Sequence, residues 1–186
     1  MGKKKLFVLF CIFAFYAPLG CATTPTLRDG LPIPLKEAHP EAVFEENEGL
    51  EVIQENAKEL RDFYRGGVQQ KVQAEKKFKE KAYAEALKLY RLSNEFFSTI
   101  LQHLDEDSAE YHLFEETSIL FFPNLLVADN HLKMGLIHQA AGREGPAQRH
   151  WKRALSFVAK SLKAESTEWG LALQQELLTL STSGKK

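Results

Sequence analysis

Two stretches decide the fold: Tyr83-Ala84-Glu85-Ala86-Leu87-Lys88-Leu89-Tyr90-Arg91-Leu92-Ser93 and Glu144-Gly145-Pro146-Ala147-Gln148-Arg149-His150-Trp151-Lys152-Arg153-Ala154. Each sets an alanine (Ala86, Ala147) four residues before an aromatic, with a small residue three further on. Positions three and four apart share one face of a helix. Both stretches are therefore predicted to be helices whose inner face runs small, aromatic, small. Such a face lets a second helix approach closely while the ring fills the groove beside it. Twelve residues before each alanine stands another small residue, Ala74 and Gly135, on the expected partner helix.

Working outward, Leu50, Ile53, Ala57, Leu60 and Tyr64 recur at helical spacing and predict a helix from about Glu46. Gly66-Gly67 is expected to interrupt it, with a second helix from about Val68 to Glu80. A third starts near Tyr83, carries Phe97, Ile100, Leu101 and Leu104 on its stripe, and stops at Asp105-Glu106-Asp107-Ser108. Ser108 is placed to cap a fourth helix through about Phe122. Pro123 suits the first turn of a fifth, to about Ala141. Gly142 and Gly145 bracket a turn. Pro146 opens a sixth to about Lys163, and Ser166 or Thr167 caps the last. No strand-like alternation occurs, so the expected class is all-α: antiparallel helical hairpins, about six to seven helices in all.

The alanine, aromatic and small-residue spacing resembles the second helix of a tetratricopeptide repeat, with Ala74 and Gly135 at the small position of the first helix and Gly142 at the turn glycine. The resemblance implies a short solenoid of hairpins. The leading alanines, residues 86 and 147, lie 61 positions apart, whereas tandem units repeat at about 34. Either a degenerate unit is inserted between them, or the domain is a bundle with two similar hairpins.

The N-terminus carries a different message. Met1 to Lys5 is positively charged, and Leu6 to Leu19 is uncharged. That run is shorter than the roughly 20 residues a spanning helix needs, and suits the apolar core of a signal peptide. Gly20 and Cys21 follow. The arrangement resembles a bacterial lipoprotein signal, although Pro18 and Leu19 depart from its usual residues. The resemblance implies cleavage before Cys21 and acylation of its thiol and new amino group, enough lipid for stable anchoring. Ala22, where an aspartate would favour inner-membrane retention, points to the outer membrane. Pro25, Pro32, Pro34 and Pro40 then predict an extended linker. The expected organisation is a signal peptide over 1–20, a lipidated linker over 21–45, a helical domain over 46–182 and a tail over 183–186.

The 186 residues include 44% hydrophobic and 26% charged side chains with a formal net charge of -1. This suits one globular domain and gives no basic field for nucleic acid. Beyond Cys21 the chain has no cysteine, so disulfides and thiolate metal sites are not expected within it. His131 and His138 are seven apart near Asp129, but are expected as packed, hydrogen-bonded residues between helices. No zinc-peptidase histidine pair, nucleophile elbow or phosphate-binding glycine loop is present. Neither a catalytic constellation nor a cofactor is expected. The expected function is a membrane-anchored, periplasm-facing scaffold for a protein or peptide partner. Its candidate contact residues lie on the first helices of the hairpins: Gln73, Lys77, Asn130, Lys133 and Ile137. The alternative is a small-ligand accessory lipoprotein of a transporter, with an apolar pocket around Phe121, Phe122 and Trp151.

Overall fold

A computed structural model of the chain describes residues 38–45, 54–104, 111, 114 and 118–183. The expected signal peptide, Cys21 and most of the expected linker lie outside them. The helices are α1 (Pro40–Glu45), α2 (Gln54–Lys79), α3 (Tyr83–His103), α4 (Phe122–Ala140), α5 (Glu144–Ala164) and α6 (Glu168–Ser183), with a 3-10 turn at Ser118–Leu120 before α4. No strand occurs among the described residues.

α2 and α3 form an antiparallel hairpin. The Phe78 ring meets Tyr83 at 6.0 Å, Ser93 Oγ donates to the Gly67 carbonyl at 2.8 Å, and Tyr64 meets Phe97 edge-on at 5.7 Å. Numbers fall along one helix as they rise along the other. α4 and α5 pair in the same sense. The rings of His138 and His150 lie 5.2 Å apart, Trp151 packs on Gly135, and Ser161 Oγ donates to the Phe121 carbonyl at 3.0 Å. α4 also packs on α3, and α6 packs on α5 and touches α4. Thr167, one of the two expected caps, starts α6 by accepting from the Gly170 N–H at 3.1 Å.

The two hairpin turns share one geometry. The Lys81 and Ala82 N–H groups donate to the carbonyls of Phe78 and Lys77, and the Gly142 and Arg143 N–H groups to those of Gln139 and His138. Both are paired bonds from just past the helix end, with the residue at the pivot left-handed: Lys81 has φ 60° and Gly142 φ 69°. The buried positions repeat at the same offset. Ala86 and Ala147, Tyr90 and Trp151, Ser93 and Ala154, and Phe97 and Val158 are all fully buried.

Three expectations need correction. Gly66-Gly67 does not break a helix; α2 runs through both for 26 residues. A Cβ on Gly67 would stand 2.7 Å from the Phe97 ring, and one on Gly66 2.8 Å from Phe96. The glycines admit α3's aromatics, and that packing offsets the roughly 1 kcal/mol that an interior glycine costs a helix. Pro40–Glu45, expected in the linker, is helix α1. Its Val43 and Phe44 are buried, and Phe44 packs edge-on against Tyr64 at 5.8 Å. The Tyr64 hydroxyl donates to the Ala38 carbonyl at 2.8 Å, tying α1 to α2. Where the expected fourth helix, from Ser108 through about Phe122, is described at its end, Ser118–Leu120 is a 3-10 turn and a new helix starts at Phe122. Most of the expected helix's earlier course lies outside the described residues.

α4 is the centre of the molecule. Every residue from Phe122 to His138 is buried. A helix enclosed on all sides needs no polar face, yet α4 carries Asp129, Asn130, His131, Lys133 and His138 inside. Each buried polar group needs a partner or costs free energy, so those side chains locate the molecule's chemistry.

Candidate functional site

One polar network crosses from the first hairpin to the second. Lys71 of α2 is 0% exposed. Its ammonium forms an ion pair with Asp129 of α4. It also pairs with Glu75, one turn along α2, at 3.0 Å, and donates to Asn130 Oδ1 at 3.1 Å. Asn130 Nδ2 donates in turn to Ser93 Oγ at 2.9 Å and to Asn94 Oδ1 at 2.8 Å. Ser93 passes the chain on to the Gly67 carbonyl. The ammonium also lies 5.8 Å from the centre of the Tyr90 ring. Burial alone would lower the Lys71 pKa; the Asp129 and Glu75 carboxylates outweigh it, and the net direction is upward. Lys71 is therefore a locked cation. It holds α2 to α4. Burial, reinforced by the same two carboxylates, pushes the Tyr90 hydroxyl well up, and that hydroxyl has no hydrogen-bond partner.

A second cluster lies between α4 and α5. His131 Nδ1 and His150 Nδ1 are 3.0 Å apart, a contact that requires one nitrogen to carry a proton and the other not. His138 stacks on His150 with the rings 12° from parallel, and His131 stacks on Phe157 at 5.9 Å. Burial and then Arg153 push His131 down to about 4. Burial, the other two histidines, Arg153 and Arg91 push His150 down to about 4. His138 is lowered by burial and by Arg143, Arg91 and Arg149. The three rings are neutral at pH 7 and sit in a field of arginines. Among the described residues no set of three histidine, cysteine or carboxylate side chains is arranged to hold a metal ion.

The expected contact residues do not form one surface. Gln73 is exposed on α2. Lys77 is held on the same helix's flank by Glu80 at 3.1 Å and Glu85 at 3.2 Å. Asn130 lies inside the Lys71 network, and Ile137 is 1% exposed in the core. Lys133 is buried too, its ammonium 5.5 Å from the Phe78 ring centre. Three of the five, Asn130, Lys133 and Ile137, are thus buried on α4. The expected pocket residues are also packed: Phe122 stacks on Trp169 at 6.1 Å, and Trp151 occupies the space left by Gly135. An open depression of about 380 Å³ lies elsewhere, lined by Lys58, Glu59, Asp62, Phe63 and Phe96.

Lys71 and His150 were not anticipated. Lys71 had a visible signature: it continues the buried stripe of Leu60, Tyr64, Ala74 and Phe78 on α2, where a lysine is out of place. His150 stands beside Trp151 and carries no such mark.

No helix among the described residues is long and apolar enough to cross a membrane. No family model, characterised protein or solved structure matches the chain.

Proposed function

We propose that this chain is a lipid-anchored interaction scaffold, with tetratricopeptide-like hairpins held on the periplasmic face of an outer membrane through acylated Cys21. One observation carries the repeat reading. Two hairpins share a turn geometry, and their buried alanine, aromatic and small positions coincide at one offset of 61 residues. Helical repeats of this kind present extended surfaces and serve mainly to hold partners. The anchor reading rests on the charged start, the short apolar run and Gly20-Cys21. The enclosed Lys71 network supports a rigid binding body over an enzyme, because its ammonium is taken up within the fold by Asp129, Glu75 and Asn130. Close packing of Phe121, Phe122 and Trp151 disfavours the carrier alternative.

The test is intact mass, membrane fractionation and cross-linked pull-down of the full chain expressed in a Gram-negative host, wild type beside Cys21→Ser. The expected result is a triacylated mass beginning at Cys21, release of the variant from membranes, and a cross-linked envelope protein lost with that release. A mass that retains residues 1–20 sinks the anchor. An anchored protein that cross-links to nothing sinks the scaffold.

A further inference from the structure

The chain has seven arginines, and four of them lie around the histidine cluster of the second hairpin. Arg91 comes from α3, Arg143 from the α4–α5 turn, and Arg149 and Arg153 from α5. All four are exposed. None makes an ion pair among the described residues, although Glu95 and Glu144 stand near in sequence. Beneath them lie the three stacked histidine rings. His138 Nδ1 and Gln148 Nε2 there are buried with no hydrogen-bond partner. In a chain of net charge -1 this is a local concentration of positive charge, assembled from three elements and without ion pairs among the described residues.

We propose that this face binds an acidic peptide segment of a partner protein. The proposal rests on the scaffold reading for the source of the anion, and it names that partner's chemistry. The shape favours a linear polyanion over a single phosphate. Arg143 and Arg153 are ten positions apart, about 15 Å at 1.5 Å rise per residue, and four or five residues of extended peptide span the same length at roughly 3.3 Å each. Arg149 and Arg153 stand one turn apart on α5. Arginine is the side chain whose planar fork pairs a carboxylate through two bonds at once. Arg143 precedes the α5 N-terminus, whose partial positive charge adds to the same field. The same field reaches the histidines beneath: after burial, the groups lowering His138 are Arg143, Arg91 and Arg149.

The experiment uses the full chain in detergent and a fluorescent hexaglutamate peptide, read by anisotropy at low and moderate salt. Wild type is expected to bind, more weakly as salt rises. Arg149→Glu with Arg153→Glu is expected to weaken binding at least tenfold. Lys58→Glu with Lys160→Glu makes the same change in net charge at exposed sites outside the face, and is expected to leave affinity within twofold. Circular dichroism checks that both variants fold. No binding by wild type overturns the proposal, as does equal weakening by the two variants. Phosphatidylglycerol vesicles are the second probe. Vesicle binding that needs Arg149 and Arg153, without peptide binding, makes the face a lipid-headgroup site and also overturns it. Peptide binding with an empty cross-linking result leaves this face standing and removes the scaffold; the reverse outcome removes only this face.

Discussion

Lys71 carries a full charge inside the protein because each of its three N–H groups has a recipient: Asp129, Asn130 and Glu75. Such an arrangement is sensitive to losing one member and tolerant of losing both. Lys71→Met leaves the Asp129 carboxylate buried without its cation, and is expected to cost about 3–5 kcal/mol. Adding Asp129→Leu replaces the pair with apolar groups and is expected to restore most of that loss. Urea unfolding of the wild type and both variants measures it, and a double variant no more stable than the single one contradicts this account. The sequence shows half of the feature. A lysine on the apolar stripe of α2 is visible, but its partner lies 58 positions away. No local pattern joins them until α2 and α4 are packed.

At the scale of elements, the two hairpin turns make a controlled comparison. Both place their pivot in the left-handed region, one with Lys81 and the other with Gly142. That region costs a residue bearing Cβ about 1–2 kcal/mol. Lys81→Gly is expected to stabilise the fold by up to about 1 kcal/mol, and Gly142→Ala to destabilise it by about 1 kcal/mol. Thermal melts showing the same sign for both changes would refute the shared geometry. The α2 glycines differ in the same testable way. Phe97 is 0% exposed and has nowhere to move, so Gly67→Ala is expected to cost about 1–3 kcal/mol. Phe96 is only partly buried and can swing outward, so Gly66→Ala is expected to cost less than Gly67→Ala. The hairpins were legible because small and aromatic residues at helical spacing have one economical use. Gly66-Gly67 was misjudged because glycine marks both a break and a close approach, and only the facing ring distinguishes them. α1 was missed because the prolines before it suggest extended chain, while its value lies in Val43 and Phe44 meeting α2.

For the whole molecule, acid is the informative stress. Unfolded histidines titrate near 6.5, whereas folded His131 and His150 titrate near 4. Above pH 6.5 both states are neutral there and these groups give stability no slope. As pH falls from about 6.5 to about 4, the unfolded chain takes up protons that the folded one refuses, and stability declines. Below about 4 their contribution levels off. Urea midpoints across that range are expected to show the decline, and His150→Gln is expected to flatten it. An unchanged slope would place the titration elsewhere. All-helical architecture was visible from the stripes of each helix. His131 and His138 were visible on one helix, but the trio was not, because His150 comes from α5 and meets them only through the turn at Gly142.

The enclosure of α4 also sets the order in which water reaches the backbone. Its neighbours cover it on every side, so its amides meet solvent only when the hairpins part. Deuterium exchange there is expected to follow global opening, and the ends of α2 and α6 to exchange by local fraying. The slowest amides of α4 thus form a built-in gauge: their exchange rate in native buffer measures the stability of the entire fold without any denaturant.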